Sequence, residues 1–407
     1  MKTIKLVYLI TMAALFCIYL NSADQAELVH NSLEEIEACN GKLRLESVRI
    51  WGGDEEEDEN KFFKTPISVA VDKKAGLVYI CDEHSHWVRV FKESGEYVRT
   101  ISQRGRGPGD SYLPGTITIS PGGDLLVLEP SGFRIQRFSP EGKSKQIIKF
   151  DRDVLRWVGV TSKDELVVYN PAQTIRTGKL LSILDHRGKT VKEIGTYHDK
   201  SKNTLESEKL FFSIDNGDNF HAANTCTPVI RKYSPEGTLS LAVTYDVLYE
   251  IPPVEISLNS NGDEIKIIRE DENTDTVRDK RGKTGSMIQR IKGKGKPKLG
   301  VCWAFGTDSR KRIYIVCRRR FLTEKEKRAA YILWNNNKII RENVDYDIVD
   351  KINDINRLVV FNPEGKVIAE AKLPTFCDGI YISEDRLFIV DGYFYQRILE
   401  YKMHFEK

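Results

Sequence analysis

This sequence has almost no net charge, no paired cysteine spacing and no second long hydrophobic run, and each absence removes a class of protein. Its 62 lysines and arginines are offset by 59 aspartates and glutamates, leaving +3. No overall field therefore draws the chain to nucleic acid or to an anionic bilayer. Seven cysteines are present, but none shows the C-x-x-C pairing of a zinc site, and Cys39, Cys81, Cys226 and Cys377 read as isolated thiols in strands. P-loop, dinucleotide fingerprint and nucleophile elbow are also missing. The glycine-rich stretch Gly105–Gly109 lacks the Lys-Ser/Thr that would complete a phosphate loop, and Pro108 marks a rigid turn instead.

The single long apolar run, Leu6–Leu20, follows Met1-Lys2-Thr3-Ile4-Lys5. A short basic start and a hydrophobic stretch too brief to span a bilayer comfortably are the marks of a signal peptide, here residues 1–23 with cleavage after Ala23. Lipid attachment through Cys17 is disfavoured, because Phe16 precedes it where a small residue is needed. The mature protein is expected in the periplasm or outside the cell, with a lead segment at 24–40.

What the sequence does contain is a repeat. An apolar or aromatic strand residue is followed four positions later by a turn glycine: Phe91 to Gly95, Phe138 to Gly142, Leu184 to Gly188, Tyr233 to Gly237 and Phe361 to Gly365. The first four glycines are 47, 46 and 49 residues apart, a period that suits four strands and their turns. Strand segments are short, β-branched and separated by polar turns, with apolar periodicity near two, which predicts an all-β chain. Six such units fit into residues 41–407, with inserts at 250–300 and 318–356.

The sixth unit is one strand short, since only six residues follow Arg397–Tyr401. Leu43–Trp51 supplies the missing strand, so the expected fold is a six-bladed β-propeller closed by pairing of N- and C-terminal strands, which removes open sheet edges. The chain resembles exported bacterial six-bladed propellers related to NHL repeats. The resemblance rests on second strands ending in a carboxylate or amide (Asp82, Glu129, Asn170, Asp391), on the Arg134-Ile135 and Arg397-Ile398 pairs, and on the segment Gly105–Tyr112. It implies the fold, and for some relatives metal-dependent lyase or hydrolase chemistry with ligands at the central channel. Other histidines here do not repeat the position of His84, so no family catalytic residue is carried over.

Strand parity assigns every unusual segment to one face, that of the connections after second and fourth strands. Long connections concentrated on one side mark a recognition surface. The residues expected to serve it are Asp82, His84, His86, Arg104, Arg106, Asp110, Tyr112, Glu129, Asn170 and Asp391. Asp82, His84 and His86 alternate in the manner of a divalent-cation site, yet exposed loop histidines ordinarily serve as polar groups, and no cofactor is expected. The four strand-end residues either ring a ligand or accept backbone hydrogen bonds, the second being the commoner duty of a repeated position. The 250–300 insert splits into an acidic half, 263–275, and a basic half, 278–298, which either clamps an acidic polymer or pairs within itself. A capping box at Thr323-Glu324-Lys325-Glu326 predicts a short helix in the second insert. In the fifth unit a hairpin turning at Ser309-Arg310 sets Cys302 opposite Cys317, a candidate disulfide. The sequence therefore favours a monomeric binding module for a protein, peptide or glycan, with a metal-dependent enzyme as the alternative.

Overall fold

The computed structural model describes residues 26–52, 58–150, 155–195, 210–225, 228–246, 302–318, 355–392 and 395–406, with short pieces at 255–258, 265–268, 323, 325–326, 348 and 351–352. The signal-peptide segment and most of both inserts, including the basic stretch to Lys298, lie outside the described residues. Three elements precede the first blade: β1 (Glu27–Asn31), α1 (Leu33–Glu37) and β2 (Leu43–Gly52).

Blade one is β3 (Pro66–Asp72), β4 (Leu77–Asp82), β5 (Trp87–Lys92) and β6 (Tyr97–Ile101). Blade two is β7 (Ile117–Ile119), β8 (Leu125–Glu129), β9 (Arg134–Phe138) and β10 (Ser144–Lys149). Blade three is β11 (Trp157–Val160), β12 (Leu166–Tyr169), β13 (Leu181–Leu184) and β14 (Thr190–Ile194), with α2 (Pro171–Thr177) between its second and third strands. Blade four is β15 (Leu210–Ile214), β16 (Phe220–Asn224), β17 (Val229–Tyr233) and β18 (Leu239–Tyr245). A two-stranded hairpin, β19 (Glu255–Leu258) and β20 (Ile265–Ile268), belongs to the first insert. Blade five is β21 (Ala304–Thr307), β22 (Ile313–Arg318), β23 (Asn356–Phe361) and β24 (Val367–Lys372), and blade six contributes β25 (Gly379–Ser383), β26 (Arg386–Asp391) and β27 (Arg397–Phe405).

Each blade is an antiparallel meander, and the first strands touch in sequence around the ring, with β25 returning to β3. The core is divided accordingly into six apolar clusters, one between each pair of neighbouring blades. This explains the near-continuous apolar second strands: Val78 and Ile80 pack toward blade six while Tyr79 and Cys81 pack toward blade two, all four fully buried. A strand sandwiched between sheets has no wet face to pattern.

Closure is as expected. β2 is the outermost strand of blade six and pairs antiparallel with β27 from Leu43↔Phe405 to Gly52↔Arg397, with a bulge between Ser47 and Arg49. The lead segment does more than the sequence reading foresaw. β1 runs parallel to β18 as a fifth strand of blade four, and Asn31 accepts from Val367 N and donates to Gly365 O of blade five, both at 2.8 Å. α1 is capped by a reciprocal Ser32–Glu35 box and buries Ile36 in the blade four/five core. Cys39 and Gly41 then bond Glu370 of β24 before β2 begins. Residues 27–52 thus fasten blades four, five and six in turn.

The register in blade five differs from expectation. Ala304 pairs with Val316 and Thr307 with Ile313, because the turn is the five residues 308–312, closed by Asp308 Oδ1 accepting from Arg310 N and Arg312 N at 2.9 Å. The ladder pairs end at Ala304↔Val316, where Trp303 N also donates to Val316 O at 2.8 Å, so the strands run one residue off the register that set Cys302 opposite Cys317. Both cysteines are buried free thiols.

Candidate functional site

The face bearing the connections after second and fourth strands is best defined where blades one and two meet. There the segment between β6 and β7 folds back on itself: Gly105 N donates to Ser111 O and Ser111 N to Gln103 O, at 3.1 and 2.7 Å. Gly109 takes φ +85°, and a Cβ on Gly105 would overlap the Asp110 carboxylate. The glycines are needed for the turn and for this close approach. Asp110 is turned inward, accepting from Gly107 N and Gln103 Nε2, both at 3.2 Å.

The third strand of blade two staples this hairpin from below. Arg134 donates to the carbonyls of Arg106 and Asp110 at 2.7 and 2.8 Å, Gln136 holds Gly109 N at 3.1 Å, and buried Glu129 accepts from Tyr112 N at 3.0 Å while pairing with Arg134 at 3.0 Å. The hairpin is therefore preorganised, with the Arg104 and Arg106 side chains exposed above it. The sequence reading passed over Arg134 and Gln136 as staples, although the Arg-Ile strand signature was legible.

Above the staples sits a stack of rings. His86 and Tyr112 lie 5.4 Å apart and 14° from parallel, and the Arg106 guanidinium is 4.9 Å from the same Tyr112 ring. His86 Nδ1 accepts from Leu113 N at 3.0 Å, which fixes its proton on Nε2, and Ser102 Oγ donates to His86 O at 3.3 Å. Three bonded residues share an unusual backbone: His86, Ser102 and Leu113 have φ of 65°, 67° and 51°. Left-handed conformation costs about 1–2 kcal/mol per non-glycine residue, and such outliers gather at functional sites. Burial, then Arg104, His84 and Lys64, push the His86 pKa below its ordinary value.

The remaining predicted residues divide clearly. His84 is exposed, with Nδ1 2.8 Å from Thr65 Oγ1 and 3.8 Å from the Glu83 carboxylate, whose pKa is raised by burial. Asp82, Glu129, Asn170 and Asp391 are buried and serve their own blades. Asp82 accepts from Lys64 N and Thr65 N at 2.8 Å, and Asn170 caps α2 by accepting from Gln173 N at 3.1 Å. Asp391 accepts from Thr375 Oγ1 at 2.5 Å and Arg397 Nε at 3.2 Å, and burial pushes its pKa up to about 6. The strand-end reading is the one realised; these four do not form an open ring. Asp82, His84 and His86 are not brought into one coordination shell, and among the described residues no three His, Cys, Asp or Glu side chains gather in metal-holding geometry.

Lys64 and Phe133 were not foreseen as part of this corner. Lys64 is exposed beside the Asp82-anchored turn, and Phe133, 37% exposed with φ +49°, directly precedes the Arg134 staple. Among the described residues, Lys64, Arg104 and Arg106 form no ion pair.

Comparison with known proteins bears on the fold. A member of the duf4221 family from Bacteroides vulgatus is similar at TM-score 0.54 and 12% identity, over 89% of this chain and 98% of that one. Virginiamycin B lyase from Staphylococcus aureus is similar at TM-score 0.45 and 9% identity, over 88% and 99%. A gluconolactonase from Xanthomonas campestris gives 0.46 and 10%, over 84% and 87%. At such identities the likeness is one of fold, and no curated protein matches the sequence. The family model that does match spans residues 63–296, more than half of the chain, and together with the six closed blades it makes this protein a member of the DUF5128 family of six-bladed β-propellers.

Proposed function

We propose that the protein is an exported, non-enzymatic binding module that holds a protein, peptide or glycan of the cell envelope on the face of its long connections. The observation that carries this reading is the stapled hairpin at the blade one/two corner, which spends buried polar groups and left-handed backbone on presenting Arg104 and Arg106 to solvent without carboxylate partners. A preorganised hairpin lowers the ordering cost of binding. The leader expected at residues 1–23 supplies the compartment.

The test is retention of envelope components on immobilised protein, comparing the natural sequence with the Arg104→Ala/Arg106→Ala variant. A component held by the first, lost by the second and recovered chemically unchanged supports the proposal. Recovery of a cleaved or eliminated product would replace it with an enzymatic reading, and equal retention by both proteins would move the binding surface elsewhere.

A further inference from the structure

We infer that the blade one/two corner, formed by Lys64, His84, His86, Arg104, Arg106 and Tyr112, binds an acidic polysaccharide, a sugar chain bearing carboxylates or sulfate esters. This rests on the reading of that face as a recognition surface and names its ligand class.

The charge balance gives the sign of the ligand. Lys64, Arg104 and Arg106 are exposed and, among the described residues, unpaired. The adjoining carboxylates are engaged: Asp82 by two backbone N–H groups, Asp110 by Gly107 N and Gln103, Glu129 by Arg134, Gln136 and Tyr112 N, Glu83 beside His84, and Asp58 by Lys61 and Asn60 N. Among the described residues of this corner, Lys64, Arg104 and Arg106 are left as the positive charges without carboxylate partners. Sulfate and carboxylate match the planar fork of arginine.

The layout gives the shape. The cations come from two connections, Lys64 before β3 and Arg104 and Arg106 before β7, with the His84 imidazole after β4 near them. Cations drawn from separate connections and open to solvent suit a polymer with acid groups at intervals. The same face carries the half-exposed His86–Tyr112 stack, with Arg106 over Tyr112, and the exposed Phe133 next to the Arg134 staple. Rings flanked by hydrogen-bonding cations offer one surface to the C–H face of a pyranose and another to its acid group, whereas an acidic peptide would not need the rings.

The experiment measures affinity electrophoresis or calorimetry with polygalacturonate, chondroitin sulfate, neutral dextran, poly-glutamate and poly-U RNA. Expected is binding to one or both acidic sugar polymers, none to dextran, and weakening of at least tenfold in Arg104→Ala/Arg106→Ala. The charge-matched control Lys143→Ala/Lys163→Ala, on exposed turns of the opposite face, should bind as the natural protein does. Both polymers carry carboxylates, so tighter binding to chondroitin sulfate points to its sulfate esters, and equal or tighter binding to polygalacturonate points to carboxylate. Tighter binding to poly-glutamate or RNA, equal losses in both variants, or no binding to either acidic polymer at low salt overturns the inference. If the sugar polymers fail while an envelope component is still retained through Arg104 and Arg106, the recognition face stands and only the ligand class falls.

Discussion

Trp51 and Glu400 meet across the closing seam of the ring, the indole N–H donating to Glu400 Oε2 at 3.1 Å from the far end of the chain. Arg386 pairs with the same carboxylate at 3.0 Å and Arg49 at 3.6 Å. Glu400 is 2% exposed, so without β2 on β27 its Oε2 loses both Trp51 and Arg49, and only Arg386 of its own blade remains.

Removing residues 24–52 should therefore abolish cooperative unfolding, since it strips β27 of its partner and leaves Glu400 short of Trp51 and Arg49. Removing 24–38 should leave the ring closed but less stable. It takes away β1 and the buried Val29 and Ile36, a loss on the order of 4 kcal/mol at about 2 kcal/mol per buried aliphatic side chain. Denaturant unfolding distinguishes the two; identical curves for both truncations would reject the closure.

The seam can be probed without shortening the chain. Glu400→Ala leaves the buried Trp51 N–H without its acceptor and Arg386, at 19% side-chain exposure, with only the more exposed Glu93 as a carboxylate partner, and breaking a buried pair costs up to about 3–5 kcal/mol. Lys92→Ala, which removes an exposed pair with Glu96, should cost no more than about 0.5 kcal/mol. Comparable losses in the two variants would show that Glu400 is less committed than its geometry states.

The blades were legible because their turns repeat: Ser139–Gly142, Ser234–Gly237 and Asn362–Gly365 close through the same backbone hydrogen bond from a left-handed glycine. Leu43–Trp51 was legible because blade six lacked a strand. β1 was not, since a five-residue parallel edge strand has no turn beside it, although Ser32-Leu33-Glu34-Glu35 carried a readable capping box for α1. Of the site, the Gly105–Tyr112 segment and its arginines could be read. The staples and the backbone strain could not, because they depend on Arg134, Gln136 and Leu113 meeting through tertiary contacts.

A buried histidine should set the acid limit of stability. His221 is fully buried, donating to Asp215 Oδ2 at 3.1 Å. Burial, assisted by Lys232 and Lys311, lowers its pKa against the Asp215 hydrogen bond. A lowered folded pKa means that the unfolded chain takes up the proton first, so stability falls as pH drops below about 6.5, by up to about 1.4 kcal/mol per unit. Asp215, also lowered, with the His221 and Asn219 hydrogen bonds outweighing burial, adds a loss in the same direction below about 4. Unfolding free energies at pH 7.5 and 5.0 should thus differ less for His221→Gln than for the natural protein. An unchanged difference would show that His221 does not govern this window.

Two buried thiols of blade five make a prediction about cysteine chemistry. Cys302 and Cys317 belong to the same core cluster, and Cys317 is near enough to act on the Cys302 thiol, which makes them a candidate disulfide pair. Burial raises the Cys302 thiol well above its usual pKa, with Cys317 contributing. The folded pair is therefore poor in thiolate and slow to oxidise. The bond should form only where oxidation accompanies folding, as in an oxidising compartment. Peptide mapping without reduction of exported protein should recover Cys302 linked to Cys317, with Cys39, Cys81, Cys226 and Cys377 free. Protein folded in a reducing cytosol should keep both thiols and resist alkylation until unfolded. Alkylation of both thiols in unfolded, unreduced exported protein would reject the bond, and a link from either to another cysteine would reject the pairing.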